Sequence, residues 1–232
     1  MDEDRIEVYR VPSKKEAEKL EDANPGGELA LENEEAPHYE SRWVEEDETP
    51  FKMKLFDCRE FALHMLSNTT DKKIVEKYLA MQESDGKEYI EKNFEKAIRI
   101  KSNLDFPFPD IDLPDGILFR SEMMEEKWNI YKYEDHIFFV RSWTGELRYI
   151  TDYEKTEEGF TIKELAMDRE AFNQDKISFY VDEVHFLLIS HALGYMIPHP
   201  LPNDVEDDPD EILKFSFGEF GNRGYFAYYS IQ

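Results

Sequence analysis

The stretch from Lys127 to Leu165 constrains the fold most, because its apolar residues recur at a period of two. Runs rich in aromatic and β-branched residues at 127–133, 136–143, 146–153 and 160–165 are separated by Glu134-Asp135, Thr144-Gly145 and Glu157-Glu158-Gly159. Turn residues this closely spaced leave no room for a helix, so the spacing predicts an antiparallel meander. One face of such a sheet must be buried against another layer. A helix predicted over 178–193 offers it, with Ile177, Val181, Val184, Leu188 and Ala192 on one side, Gly194 as C-cap and Pro198 just beyond. The expected class is α+β.

The rest of the chain is read around that body. Ile6 to Val11 alternates like a strand, and Ser13 with Glu16 forms a capping box for a short helix through Asp22, stopped by Pro25-Gly26-Gly27. From Glu28 to Thr49 acids dominate and periodicity is lost, which predicts a long surface loop anchored by Trp43 and Val44. Three amphipathic helices are then expected: one from Asp57 through Leu66, one carrying Ile74, Val75, Tyr78 and Leu79, and one carrying Tyr89, Ile90, Phe94, Ala97 and Ile98. Three prolines between Phe106 and Gly116 forbid regular structure there and mark a boundary. At the C-terminus, Leu213–Phe217 and Tyr225–Ser230 flank Gly221-Asn222-Arg223-Gly224 and read as a final hairpin. The expected organisation is an acidic segment over 1–50, a helical region over 51–104, a connection over 105–116, and a sheet with helix and hairpin over 117–232. Periodicity leaves open whether one core or two encloses them.

Charge narrows the function classes. The chain has 53 acidic and 28 basic residues, a net charge of −25, yet 17 Phe, 13 Tyr and 3 Trp supply a core that a disordered acidic chain would lack. The excess is densest over residues 1–50, with 17 acids against 6 bases, and again at Asp204, Glu206, Asp207, Asp208, Asp210 and Glu211. Such a surface repels a phosphate backbone, so no nucleic-acid partner is expected. No apolar run reaches bilayer length, so no membrane partner is expected, and the start at Met1-Asp2-Glu3-Asp4 lacks the character of a signal peptide. The single cysteine, Cys58, cannot form an intramolecular disulfide, and a cytoplasmic location is expected.

No catalytic constellation stands out. Cys58 lies near a predicted helix start with His64 beyond it, but Asp57 and Glu60 oppose a thiolate, and a six-residue spacing separates thiol and imidazole around the helix. His185 and His191 are likewise six apart, and His199 sits between prolines beside the second acidic knot. Neither the paired-histidine zinc spacing nor an EF-hand loop is present, so no metal and no cofactor are expected. The glycines around 218–224 lack the order of a dinucleotide loop. The most suggestive polar group is Arg141-Ser142-Trp143 at a strand end, which Arg148 on the next strand and Arg120 just before the meander could join, a set able to hold a phosphate or carboxylate while the indole stacks on a ring.

Two expectations follow. The leading one is a non-enzymatic module that binds a basic protein, in the manner of an inhibitor or immunity protein, through Glu45, Glu46, Asp47, Glu48, Asp204, Glu206, Asp207, Asp208, Asp210 and Glu211, with Trp43 as anchor. The alternative is a small enzyme or ligand-binding domain using Arg120, Arg141, Trp143 and Arg148.

Overall fold

A computed structural model of the chain describes Tyr9–Arg10 and residues 39–230. The helix expected at 13–22, its Pro-Gly-Gly stop and the loop before residue 39 lie outside the described residues. Of the strand expected at 6–11, Tyr9–Arg10 (β1) is described. The fold is mixed α+β, with a large antiparallel sheet and a few helices.

Along the chain, Trp43–Val44 (β2) and Leu55–Asp57 (β3) form an antiparallel pair, followed by the helices Arg59–His64 (α1) and Lys72–Glu83 (α2). The strands Ala97–Phe106 (β4), Gly116–Phe119 (β5), Trp128–Tyr133 (β6), His136–Arg141 (β7), Leu147–Asp152 (β8), Glu154–Thr156 (β9) and Gly159–Asp168 (β10) build the large sheet. Its order is β4-β10-β8-β7-β6-β5, with β9 also pairing with β10. Helix Ile177–Leu187 (α3) continues into a π-turn over Leu188–Ala192. Tyr195–Met196 (β11), His199–Leu201 (β12), helix Pro209–Phe220 (α4) and Phe226–Tyr229 (β13) complete the chain.

The meander strands pair antiparallel, with Ile137 opposite Lys132 and Phe138 opposite both Tyr131 and Ile150. Alternation sends Trp128, Ile130, Ile137, Phe139 and Tyr149 to one face, where α3 covers them with Phe179, Tyr180, Val184 and Leu187. The opposite face also carries apolar residues. Tyr131, Phe138 and Val140 pack there with Met81 of α2 and with Tyr89. Two buried faces explain why Ile137-Phe138-Phe139-Val140 is continuously apolar.

Two expected elements are corrected. The helix read from Tyr89 to Ile98 is absent: Lys87–Tyr89 is a single 3-10 turn, and Ala97 and Ile98 begin the ten-residue strand β4, antiparallel to β10. The residues that misled, Ala97 and Ile98, fit helical spacing with Tyr89 and Phe94. Within β4, Ile98, Ile100, Leu104 and Phe106 instead alternate as in a strand, and the pairing with β10 shifts at a bulge near Asn103, where φ is 47°. The expected N-terminal helical region therefore gives up a strand to the sheet.

The C-terminal hairpin is also absent. Leu213–Phe217 lies inside α4, and β13 pairs in parallel with β12 and antiparallel with β3. The cause is legible in Asp208-Pro209-Asp210-Glu211. Asp208 caps the helix by accepting from the Asp210 and Glu211 N–H groups at 3.0 and 3.2 Å, and Pro209 fills the first turn, where no N–H is needed. Part of the second acidic knot is thus a helix N-terminus, where negative charge offsets the macrodipole. The resulting small sheet, β12-β13-β3-β2, leaves β2 as an edge strand.

Candidate functional site

The two acidic segments meet beside the small sheet. β2 carries Trp43 to the sheet edge, and its indole N–H donates to Asp207 Oδ1 at 2.8 Å across 164 residues of chain. Trp43 stacks with Tyr229 at 5.9 Å between centroids and meets Phe56 edge-on at 5.5 Å. The Tyr229 hydroxyl donates to the Val205 carbonyl at 3.2 Å, tying the second acidic loop to the sheet. Between the segments runs an open groove of about 440 Å³ lined by Trp43, Met53, Lys54, Asp207, Tyr228 and Tyr229. A second concavity lined by Asp204, Val205, Glu206, Asp208, Glu211, Lys214 and Phe215 lies along the start of α4.

The acids on this face differ in how far they are already neutralised. Glu48 accepts from Arg42 at 2.6 Å, and that guanidinium brings its carboxyl down to about 2. Glu45 pairs with Lys54 at 3.1 Å, Asp204 with Lys176 at 2.7 Å and Glu211 with Lys214 at 2.9 Å. Asp208 is spent on the helix cap. The exposed carboxylates of Glu46, Asp47, Glu206 and Asp210 carry no ion pair or hydrogen bond among the described residues. They are the charges left open to solvent.

The arginines and tryptophan of the alternative site have partners within the chain. Arg141 binds Glu219 Oε1 at 2.6 Å and the Gly218 carbonyl at 2.8 Å while lying over the Trp128 ring. The Trp143 indole donates to the Met124 carbonyl at 2.8 Å, Arg120 donates to the Ser84 carbonyl, and Arg148 pairs with Glu146 at 3.0 Å. These bonds fasten the meander to α4, to the loop before β6 and to the end of α2.

A buried acid that the sequence reading passed over sits beneath this set. Glu183 of α3 is 1% exposed and accepts from the Tyr149 hydroxyl. Burial, reinforced by the neighbouring Glu219, pushes its carboxyl well above the usual carboxylate range and so favours the protonated form. Lys127, also missed, is buried with its ammonium bonded to Ser67 Oγ and the Met124 carbonyl and placed over the Trp143 and Phe217 rings. Burial brings it down to about 8. A charged residue among aromatic and aliphatic neighbours, Glu183 within α3 and Lys127 just before β6, was the available signal, but only the fold shows which ones are enclosed.

Cys58 and His64 are not brought together. His64 lies 3.9 Å from Glu60, whereas Cys58 is buried 3.6 Å from Ser216 Oγ, which in turn lies 2.8 Å from His199 Nε2. Burial pushes the thiol up to about 12 and the His199 imidazole down to about 3. A thiol and hydroxyl enclosed beside a neutral imidazole form a packed polar contact, with neither thiolate nor imidazolium on offer. Among the described residues, no group of three or more His, Cys, Asp or Glu side chains is placed to hold a metal ion, and no helix is long and apolar enough to cross a membrane.

No family model matches the chain, and comparisons with curated proteins and with solved structures found no match.

Proposed function

We propose that this chain is a non-enzymatic interaction module that binds a basic protein, in the manner of an inhibitor or immunity protein. The observation that carries the reading is the Trp43–Asp207 hydrogen bond, which joins two acidic segments far apart in sequence around one groove. Opposite charge on a partner would be steered to this face, and its pattern would set selectivity more than affinity. The open carboxylates of Glu46, Asp47, Glu206 and Asp210 would meet the partner's cations, and Trp43 would anchor it. The arginine-rich set around Arg141 supports a ligand site less well, because its guanidiniums are already bonded within the chain. The same reading holds the chain in the cytoplasm and away from nucleic acid, which its net charge of −25 repels.

The test is a tagged capture from the native lysate with low- and moderate-salt washes, followed by reconstitution with the purified partner. A single basic protein in stoichiometric amount, weakened by salt and lost when Glu46, Asp47, Glu206 and Asp210 are all changed to Lys, is the expected result. Unchanged binding by the charge-reversed variant would overturn the proposal.

A further inference from the structure

The groove beside Trp43 has a narrower chemistry than negative charge. Trp43, Met53, Tyr228 and Tyr229 are half-buried along it, with exposed Lys54 and Asp207 at its rim. The indole is held in place by its bond to Asp207 Oδ1, by stacking with Tyr229 and by the edge contact with Phe56. Asp207 Oδ2 has no hydrogen bond or ion pair among the described residues. A fixed aromatic shelf beside an open carboxylate oxygen is complementary to a planar cation.

We infer that this groove takes an arginine side chain of the partner, its guanidinium lying against the exposed rings and donating to Asp207. The inference rests on the reading that the partner is basic, and it names the residue that the site selects. Acidic flanks alone attract lysine and arginine alike, whereas a ring shelf favours the flat, weakly hydrated guanidinium over a compact ammonium. Strand addition along β2 is a poorer mode of binding. The Trp43 carbonyl accepts from Arg42 at 3.1 Å, and the Glu45 N–H donates to Glu48 Oε2 at 3.0 Å, so that edge is partly occupied. Lys54 opposes an incoming cation, but Glu45 holds its ammonium at 3.1 Å.

Isothermal titration of the full chain at low salt with two octapeptides, one alternating arginine and serine and one alternating lysine and serine, tests the assignment. The arginine peptide is expected to bind about fivefold more tightly. Asp207→Asn keeps an oxygen for the indole and removes the charge, and it should bring the two peptides to within about twofold of each other. Lys54→Ala should tighten both. Equal binding of the two peptides by the unchanged chain, or a preference that survives Asp207→Asn, would overturn the arginine assignment while leaving the acidic-face reading intact. Binding of neither peptide would overturn both.

Discussion

The large sheet and the small sheet use the same residue types to opposite ends. In the large sheet, arginine, tryptophan and glutamate are turned inward: Arg141 lies over Trp128 and grips Glu219, while Glu183 is sealed against Tyr149. In the small sheet, Trp43, Tyr228 and Tyr229 line an open groove with Asp207 at its rim, and the exposed Glu46, Asp47, Glu206 and Asp210 of the two acidic segments have no ion pair or hydrogen bond among the described residues. A polar group enclosed and bonded contributes to stability, and one left facing water remains available to a ligand. Composition cannot separate the two, because both neighbourhoods read as arginine, acid and aromatic.

The contrast can be broken by substitutions that should act on one region only. The largest expected effect is Phe139→Ala, which empties a fully enclosed site between Tyr149 and the α3 layer. It should cost about 3–5 kcal/mol in denaturant unfolding. A loss below about 1 kcal/mol would mean that this face is not the main core.

Arg141→Ala comes next, at about 2–3 kcal/mol, because it strands the half-buried Glu219 carboxylate. If the variant were as stable as the parent but lost binding of a small metabolite in a thermal-shift screen, Arg141 would belong to a ligand site and the contrast between the sheets would fail.

Glu183→Gln sharpens the picture through pH. The folded-state pKa of Glu183 is raised above its ordinary 4.5, so the folded chain holds a proton that the unfolded chain releases. The unfolded state therefore binds fewer protons, and the contribution of this group to stability falls as pH rises from about 4.5 towards the folded-state value. Glutamine cannot ionise, so the stability of the variant relative to the parent should rise between pH 4 and pH 8. Identical pH slopes for variant and parent would show that burial does not favour the protonated form of Glu183.

The smallest effect on stability is expected where the effect on binding is greatest. Changing Glu46, Asp47, Glu206 and Asp210 to Lys should cost no more than about 1 kcal/mol, most of it at Asp210, whose charge offsets the macrodipole in the first turn of α4, since these exposed acids have no ion pair or hydrogen bond among the described residues. A large destabilisation would mean that the acidic face is part of the scaffold.

Much of the large sheet was legible because its strands alternate and its turns announce themselves. Glu134-Asp135 and Thr144-Gly145 lie where the chain reverses, with φ of 53° at Glu134 and 64° at Gly145. The errors fell where a local pattern served two periods. Ala97 and Ile98 satisfied helical spacing with residues before them and strand spacing with residues after them, and pairing with β10 decided the matter. Leu213–Phe217 was read by its aromatics, although the helix start lay four residues upstream in an Asp-Pro-Asp-Glu cap that had been read only as charge.

The candidate site divides along the same line. Residues from both acidic segments, and Trp43 as an anchor, could be picked out from charge density and the isolated indole. Their meeting at Asp207 could not, nor could the parts played by Met53, Tyr228 and Tyr229. By itself the sequence determined the mixed class, the meander, the long helix that covers it and the strongly acidic surface, because period, turn chemistry and net charge are local or additive properties. Only the tertiary structure decided which aromatic rings stay at the surface, which acids are neutralised and which lone cysteine partner is real. Those outcomes depend on contacts between residues far apart in the chain, such as Trp43 with Asp207 and with Tyr229, set by strand pairing and burial rather than by any pattern along the chain.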